Sequence, residues 1–571
     1  MSDPKTYEVE RSFPPYYLEH REESCRSGVF KMGDRPIWLL QGLAGFSVNS
    51  ILIEGKDGLI VYDTGVSLEQ GQAIAAAIKE ISDKPIKDVI YSHHHADHCN
   101  GTDALITPEQ AASGEVAVIA WETFEREHAD ENRVVGTIMG LRASFMYGAF
   151  LGPEEQSYTG LGGSFFGSQG SFIPPNQVIS QDTEMEIAGV RLELFRTGGE
   201  ASSEIGMDLP DYNTVVIADE VYPSLANLYT LRGAKFRDAG RWASASDRVL
   251  ARDNVDLLLG CHMAPIEGAE QIRHVLTTYR DSIHFNHDQA VRLILQGATP
   301  DELRERLNEL PESLDMAPYT RPMYGHVAAN AAAQFTGYLG WFAGDATTLA
   351  PTPGPERARR MVALAGGREA VLAAGEAALG ESDAQWAAEL AALLVTLDPS
   401  DTGARRLKAA ALRTLGYAQL NATWRNWYLS GAKELDGEID LTAIAPMARA
   451  MLYQPELGAA AILDGLKYAV DPQIAGDQQI LVGIDVTGPD SSESFDLRLR
   501  NSVLTVIEDA ATAQSRLTIS IDDLARVVAG LVDLAQLLDD GSVTVTGSQE
   551  DARDLFAALD THPAAPTFHV K

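Results

Sequence analysis

The stretch YSHHHADHCNG, Tyr91 to Gly101, follows directly on the apolar run IKDVI and packs four histidines and an aspartate into six residues, 93–98. A short apolar run of this kind reads as a buried strand. The chain must therefore fold so that a strand end presents several ligand-capable side chains to one place. Residues two apart on extended chain point the same way, so His93 and His95 share one side and His94 faces the other. Asp97 and His98 follow as the chain turns. The pattern H-x-H-x-D-H can supply one metal ion through His93 and His95 and a second through Asp97 and His98. Imidazole and carboxylate suit zinc, iron or manganese. His94 is assigned a supporting or packing role, and the neighbouring Cys99, like Cys261, reads as a buried small hydrophobe.

The surroundings read as α/β. Residues 46–65 read as two strands joined by a Lys-Asp-Gly turn, 68–82 as a helix, and 116–120, 185–197, 214–219 and 255–262 as further strands. This region ends near residue 270. Within it, 136–175 is rich in Gly, Ser and aromatics and reads as a long, ordered loop that covers something. From about 270 to 430 the period turns helical. A break at Asp398-Pro399-Ser400 marks one helix-turn-helix unit of a repeat array, whose faces need a partner surface. From about 440, strand-like segments such as QILVGIDVT and SFDLRLRNSVLTVIED are followed by helices, the texture of a small α+β domain. A length of 571 residues agrees with several domains.

Formal charge is −36, which argues against nucleic acid and anionic membrane surfaces as partners. An anionic substrate must be held by a local positive site. The N-terminal segment has no basic region followed by an apolar stretch, and no window is apolar enough to span a membrane. The three cysteines make no disulfide framework. These features lead us to expect a cytoplasmic protein.

The histidine pattern resembles that of the metallo-β-lactamase superfamily, and the resemblance extends along the chain. DTG at 63–65 resembles the supporting aspartate loop. TGGEASSE places Glu200 where many relatives have a ligand histidine. VVIAD ends on Asp219, the position of the bridging carboxylate, and LLLGCH ends on His262, the position of the last histidine. The resemblance implies a dinuclear site of His93, His95, Asp97, His98, Glu200, Asp219 and His262, holding two Zn2+ with manganese or iron as alternatives. Three carboxylates against two divalent ions and a bridging hydroxide leave that centre neutral, so an anion needs a separate clamp.

Glu200 within TGGEASSE resembles the alkylsulfatase branch of the superfamily, as do ENRVVGTIMGLRASFMYGAFL, ANLYTLRGAKFRD, YLGWFAGDATTL and NATWRNWYLSGAKEL. This resemblance implies three parts: an αββα metallo-β-lactamase-like catalytic domain over 1–270, an all-α dimerisation domain over 271–435, and an α+β sterol-carrier-protein-like domain over 436–571. It implies a homodimer that hydrolyses alkyl sulfate esters to sulfate and an alcohol by attack of a metal-bound hydroxide, with Asp97 and Asp219 in the catalytic centre. Arg232 and Asn227 fall where the family holds sulfate, and a planar guanidinium can grip two oxygens of an oxyanion. Tyr147 falls at a family tyrosine near the substrate. One segment departs: MYGHVAANAAA has Ala329 at the family's sulfate-contacting histidine. His326, one turn away on a helix, is the expected substitute. The departure leaves a same-fold hydrolase of another ester, a phosphate ester or lactone, as the alternative.

Overall fold

A computed structural model describes residues 7–168, 170, 172–442, 453, 455, 458–488, 492–508, 512–560 and 566–570. The first six residues of the N-terminal segment, residues 169 and 171 of the 136–175 stretch, and Asp509 at the end of an expected strand lie outside them. The chain divides into two compact units, one of residues 1–127, 142–439 and 568–571 and one of 128–141 and 440–567.

The first unit is built on two sheets. Strands β1 (Gly28–Lys31), β2 (Ile37–Gln41), β3 (Ser50–Glu54), β4 (Leu59–Tyr62), β5 (Ile86–Ile90), β6 (Ala117–Trp121) and β7 (Gln177–Ile179) lie in sequence order. The pairs from β1 to β4 are antiparallel and those from β4 to β7 parallel. Strands β8 (Thr183–Ile187), β9 (Val190–Arg196), β10 (Ile205–Leu209), β11 (Thr214–Val216), β12 (Leu257–Leu259) and β13 (Ile266–Glu267) form the second sheet, with only β11 and β12 parallel. Period-two alternation sorts each strand between two cores. Ile51, Ile53, Ile60 and Tyr62 join Leu192, Leu194, Ile205 and Met207 between the sheets. Leu52 and Val61 turn outward to Ile74 and Ile78 of the helix Leu68–Ile81. On the far side Val215 and Leu258 meet Trp242 and Val275 of helices Ala239–Leu250 and Ala269–Ile294. The layers are therefore αββα, as expected.

Several boundaries differ from the sequence reading. Residues 185–197 are two strands, because Ala188 and Gly189 both adopt positive φ and turn the chain into a hairpin. Gly136–Met146 is a helix, so the Gly-rich loop begins later than expected. The helical region follows, with helices Ala384–Leu397 and Thr402–Ala418 separated at Asp398–Asp401 as the Asp-Pro-Ser break requires. The last described residues return to this unit, where Phe568 and His569 donate backbone N–H groups to buried Glu434.

The second unit carries a five-stranded sheet in the order β16-β15-β14-β17-β18, from β14 (Gln479–Thr487), β15 (Ser492–Arg500), β16 (Val503–Glu508), β17 (Ser515–Ser520) and β18 (Thr544–Thr546). Helices Ile521–Val528, Leu534–Asp540 and Gln549–Ala557 share its apolar core. It is the α+β fold anticipated. Positive φ at Asn501 and Ser502 splits the SFDLRLRNSVLTVIED segment into a hairpin.

Candidate metal centre

β5 ends at Ile90, the chain bends through Ser92–His95, and the short helix Ala96–Cys99 then turns Asp97 and His98 inward. The alternation holds beyond the strand. His93 Nε2 lies 2.8 Å from His95 Nδ1. Glu200 Oε2 lies 3.5 Å from His93 and 3.1 Å from His95. His94 instead meets the Ser203 hydroxyl at 2.7 Å. A second group forms beside the first. His98 Nε2 is 3.3 Å from Asp97 and 3.3 Å from Asp219. His262 Nε2 is 3.2 Å from Asp97 and 3.3 Å from Asp219. Asp219 also clusters with His93 and His98, which sets it between the two groups. All seven expected ligands converge.

Neighbouring atoms fix the ring orientations. Asp63, held at a positive φ, accepts from the Ser92 N–H at 2.7 Å and its hydroxyl at 2.8 Å, and lies 2.7 Å from His98 Nδ1. The Cys261 thiol donates to the same carboxylate. His262 Nδ1 lies 3.1 Å from the Ser47 carbonyl, which turns Nε2 toward the carboxylates. Such outer partners set the tautomer of a ligand imidazole.

The donor set fits divalent cations. His98 Nε2 and Asp219 Oδ1 are buried with no hydrogen-bond partner, a state native proteins avoid unless something else binds there. Burial, reinforced by His98 and His95, holds His93 down at about 4, so its lone pair is free. Burial opposes charge on His262, yet Asp219 and Asp97 lift it to about 10. The two carboxylates thus favour positive charge at this place, which a bound cation would supply.

Above the ligands sits a cationic arm. Arg232 Nη2 lies 3.3 Å from His95 Nε2. Its turn is held from the helix Gly136–Met146: Arg142 donates to the Leu231 and Arg232 carbonyls at 2.6 and 2.9 Å, and Met146 Sδ receives the Arg232 N–H. Arg142 and Met146 are four apart on one helix face. That spacing was readable in RASFM, but its target was not. Arg237 was also missed. It forms a buried 2.8 Å ion pair with Glu200 and donates to Asn227 Oδ1 at 2.7 Å. Burial raises the Glu200 carboxyl, but Arg237 and His95 prevail and hold it well below the usual carboxylate range. Arg237 adds a positive charge that a tally of ligands alone omits. It also fixes the Asn227 amide. With Oδ1 engaged, the buried Nδ2 is left without a partner.

Tyr147 meets the Tyr324 hydroxyl at 3.0 Å and packs on Phe165, whose ring lies 5.7 Å from that of His262. The 136–175 stretch therefore does cover the site. His326 caps the helix Val327–Leu339 through Nδ1 and the Ala328 N–H, and its ring stacks on Trp424 at 4.1 Å. Asn330 of that helix, beside Ala329, bonds the backbone of Ala226 and Tyr229 on either side of Asn227 and Leu228.

Residues 43–262 match the metallo-beta-lactamase superfamily, 299–438 the alkyl sulfatase dimerisation family and 452–570 the alkyl sulfatase C-terminal family. A linear primary-alkylsulfatase from a Pseudomonas species is 37% identical over 90% of this chain and 99% of its own length. The chain belongs to the alkylsulfatase family. An (R)-specific secondary-alkylsulfatase, also from Pseudomonas, is 32% identical over 95% of this chain and 82% of its own. An alkyl/aryl-sulfatase of Saccharomyces cerevisiae is 30% identical over 93% and 82%. The solved structure of a stereoselective inverting sec-alkylsulfatase from Pseudomonas superposes with a TM-score of 0.85 at 30% identity, covering 95% of this chain and 85% of that one. These relatives are sulfuric ester hydrolases, and the metallo-beta-lactamase, alkyl sulfatase dimerisation and alkyl sulfatase C-terminal parts are all present here. Among the described residues no helix is long and apolar enough to cross a membrane.

Proposed function

We propose that this alkylsulfatase-family chain hydrolyses sulfate esters of alkyl alcohols at a dinuclear site. His93, His95 and Glu200 would hold one ion and Asp97, His98 and His262 the other, with Asp219 within reach of both sets. Zinc is the first choice and manganese or iron the alternatives. When bound, the ions supply Lewis acidity that makes hydroxide available from water near neutral pH. The chain does the rest. Arg232 and the free Nδ2 of Asn227 hold sulfate oxygens, Asp219 orients the attacking water through Oδ1, and Tyr147 and Phe165 limit access of bulk water. The observation that carries this reading is the continuous run Asn227–Arg237–Glu200–His95–Arg232, which joins an anion clamp to a metal ligand set through polar contacts.

His326 is engaged by Trp424 and its own helix cap, so we assign it to structure rather than to the leaving oxygen. Ala329 then leaves the sulfate with fewer contacts than the family pattern provides, which is the observation favouring the second reading, a phosphate ester or lactone as substrate. We further propose catalysis in 1–270, homodimerisation through 271–435 and a supporting role for 436–571. Exposed Leu339, Trp341, Leu349 and Leu364 supply apolar surface for the dimer.

Sulfate release from primary and secondary alkyl sulfates, beside Arg232→Ala and a panel of phosphate esters and lactones, tests the reading. It expects sulfate release that falls by at least about 100-fold in the variant, as loss of a charge-assisted clamp implies. Turnover confined to phosphate esters or lactones contradicts it. A chiral secondary ester reports the bond broken: inversion marks attack at carbon, retention attack at sulfur.

A further inference from the structure

Two glutamates behind the centre, Glu204 and Glu220, are completely buried. Glu204 directs its two oxygens at two backbone groups. Oε2 accepts the Glu200 N–H at 3.1 Å and Oε1 accepts the Asp219 N–H at 2.8 Å. Those N–H groups belong to the two carboxylate ligands that arrive from outside the histidine stretch. Glu204 immediately precedes β10, and Asp219 follows the neighbouring β11, so the carboxylate ties the ends of two paired strands. The adjoining Ile205 N–H bonds the Ser92 carbonyl at 2.9 Å, which brings the His93 loop into the same frame.

Glu220 sits alongside and accepts the Gly199 N–H at 2.7 Å. A Cβ on Gly199 would come within 2.2 Å of Glu220 Oε2 and 2.6 Å of the Trp242 backbone, so the turn before Glu200 has no room to shift. Two acids in one dry place are costly. An apolar or amide side chain would be cheaper if packing were the purpose. Glutamine, however, offers one acceptor, and its amide N–H₂ would oppose the second backbone N–H. Only a carboxyl group of this length offers an oxygen to each.

We propose that Glu204 is a positioning residue that sets the spacing of Glu200 and Asp219 for the metal pair by accepting both of their backbone N–H groups. It acts through the two main-chain segments. The inference rests on the dinuclear reading above.

The test is competitive zinc titration of chelator-stripped wild type and Glu204→Gln against a chromophoric chelator, with urea unfolding of each stripped protein. Wild type takes two zinc ions. Glu204→Gln loses about 10- to 100-fold in zinc affinity, the range seen when supporting partners of metal ligands are removed. KM for an alkyl sulfate at saturating zinc stays at the wild-type value, because Arg232 and Asn227 are untouched. Glu204→Asp keeps the carboxyl group but is too short to reach both N–H groups, and it loses affinity too. If Glu204→Gln does not fold, Glu204→Asp carries the test alone. Wild-type zinc affinity in either folded variant, whatever its stability, overturns the proposal, as does failure of both to fold. Wild type that binds no zinc would instead overturn the dinuclear reading.

Discussion

Arg237→Met keeps an unbranched side chain at a buried position and removes its charge and its hydrogen-bond donors. In the native protein Arg237 and Glu200 are both almost wholly buried and 2.8 Å apart. Removing one member of such a pair typically costs about 3–5 kcal/mol, because the other charge stays buried without its counterpart. His95 Nδ1, 3.1 Å from the same carboxylate, gives partial compensation. That places the expected loss near the lower end, about 3 kcal/mol, for the metal-free protein. A bound cation pairs with Glu200 directly and should reduce the loss to about 1 kcal/mol. Urea unfolding followed by circular dichroism, in chelator and in excess zinc, reads both values from the transition that zinc shifts. The variant should therefore gain more stability from zinc than the wild type does. An equal loss in both conditions would show that Glu200 does not face the metal, and no loss in chelator would refute the pairing itself.

Asn227→Asp replaces the free amide donor with an anion beside the sulfate and should raise KM for alkyl sulfates by at least about 100-fold while leaving zinc stoichiometry at two; unchanged KM would remove Asn227 from the clamp. His326 has a folded pKa of about 4, below the ordinary histidine value, because burial disfavours its charged form. Its contribution is fully present above about pH 6.5 and is lost as pH falls toward 4, about 2 kcal/mol after allowing for its partial exposure. In chelator, His326→Asn should flatten that part of the stability profile relative to wild type, and parallel profiles would refute the assignment. Trp341, 71% exposed, should lie in the dimer contact, so Trp341→Glu should shift the mass by light scattering from dimer toward monomer; an unchanged dimer would place the contact elsewhere.

The α/β character was legible because strand alternation and helix period are written in single residues, while the αββα layering came through resemblance. The ligand order was legible because His93, His95, Asp97 and His98 lie within one turn of chain, while Glu200, Asp219 and His262 came through resemblance alone. What escaped depends on side chains meeting over long separations. Arg142 reaches Arg232 across 90 positions, and Arg237 reaches back to Glu200. Neither contact has a local sequence signature. The hairpin at Ala188–Gly189 was blurred for the opposite reason: alanine rarely takes positive φ, so the turn looked like strand. Glu204 stood in plain view within TGGEASSE, but its value lies in accepting two main-chain groups, which composition does not reveal.

The most direct test of the account is the initial rate of sulfate release from an alkyl sulfate as zinc is titrated into chelator-stripped protein. The account predicts no turnover without metal and a plateau at two zinc ions per chain. Full turnover by the stripped protein, or two ions bound with no sulfate released from any alkyl sulfate, would contradict it.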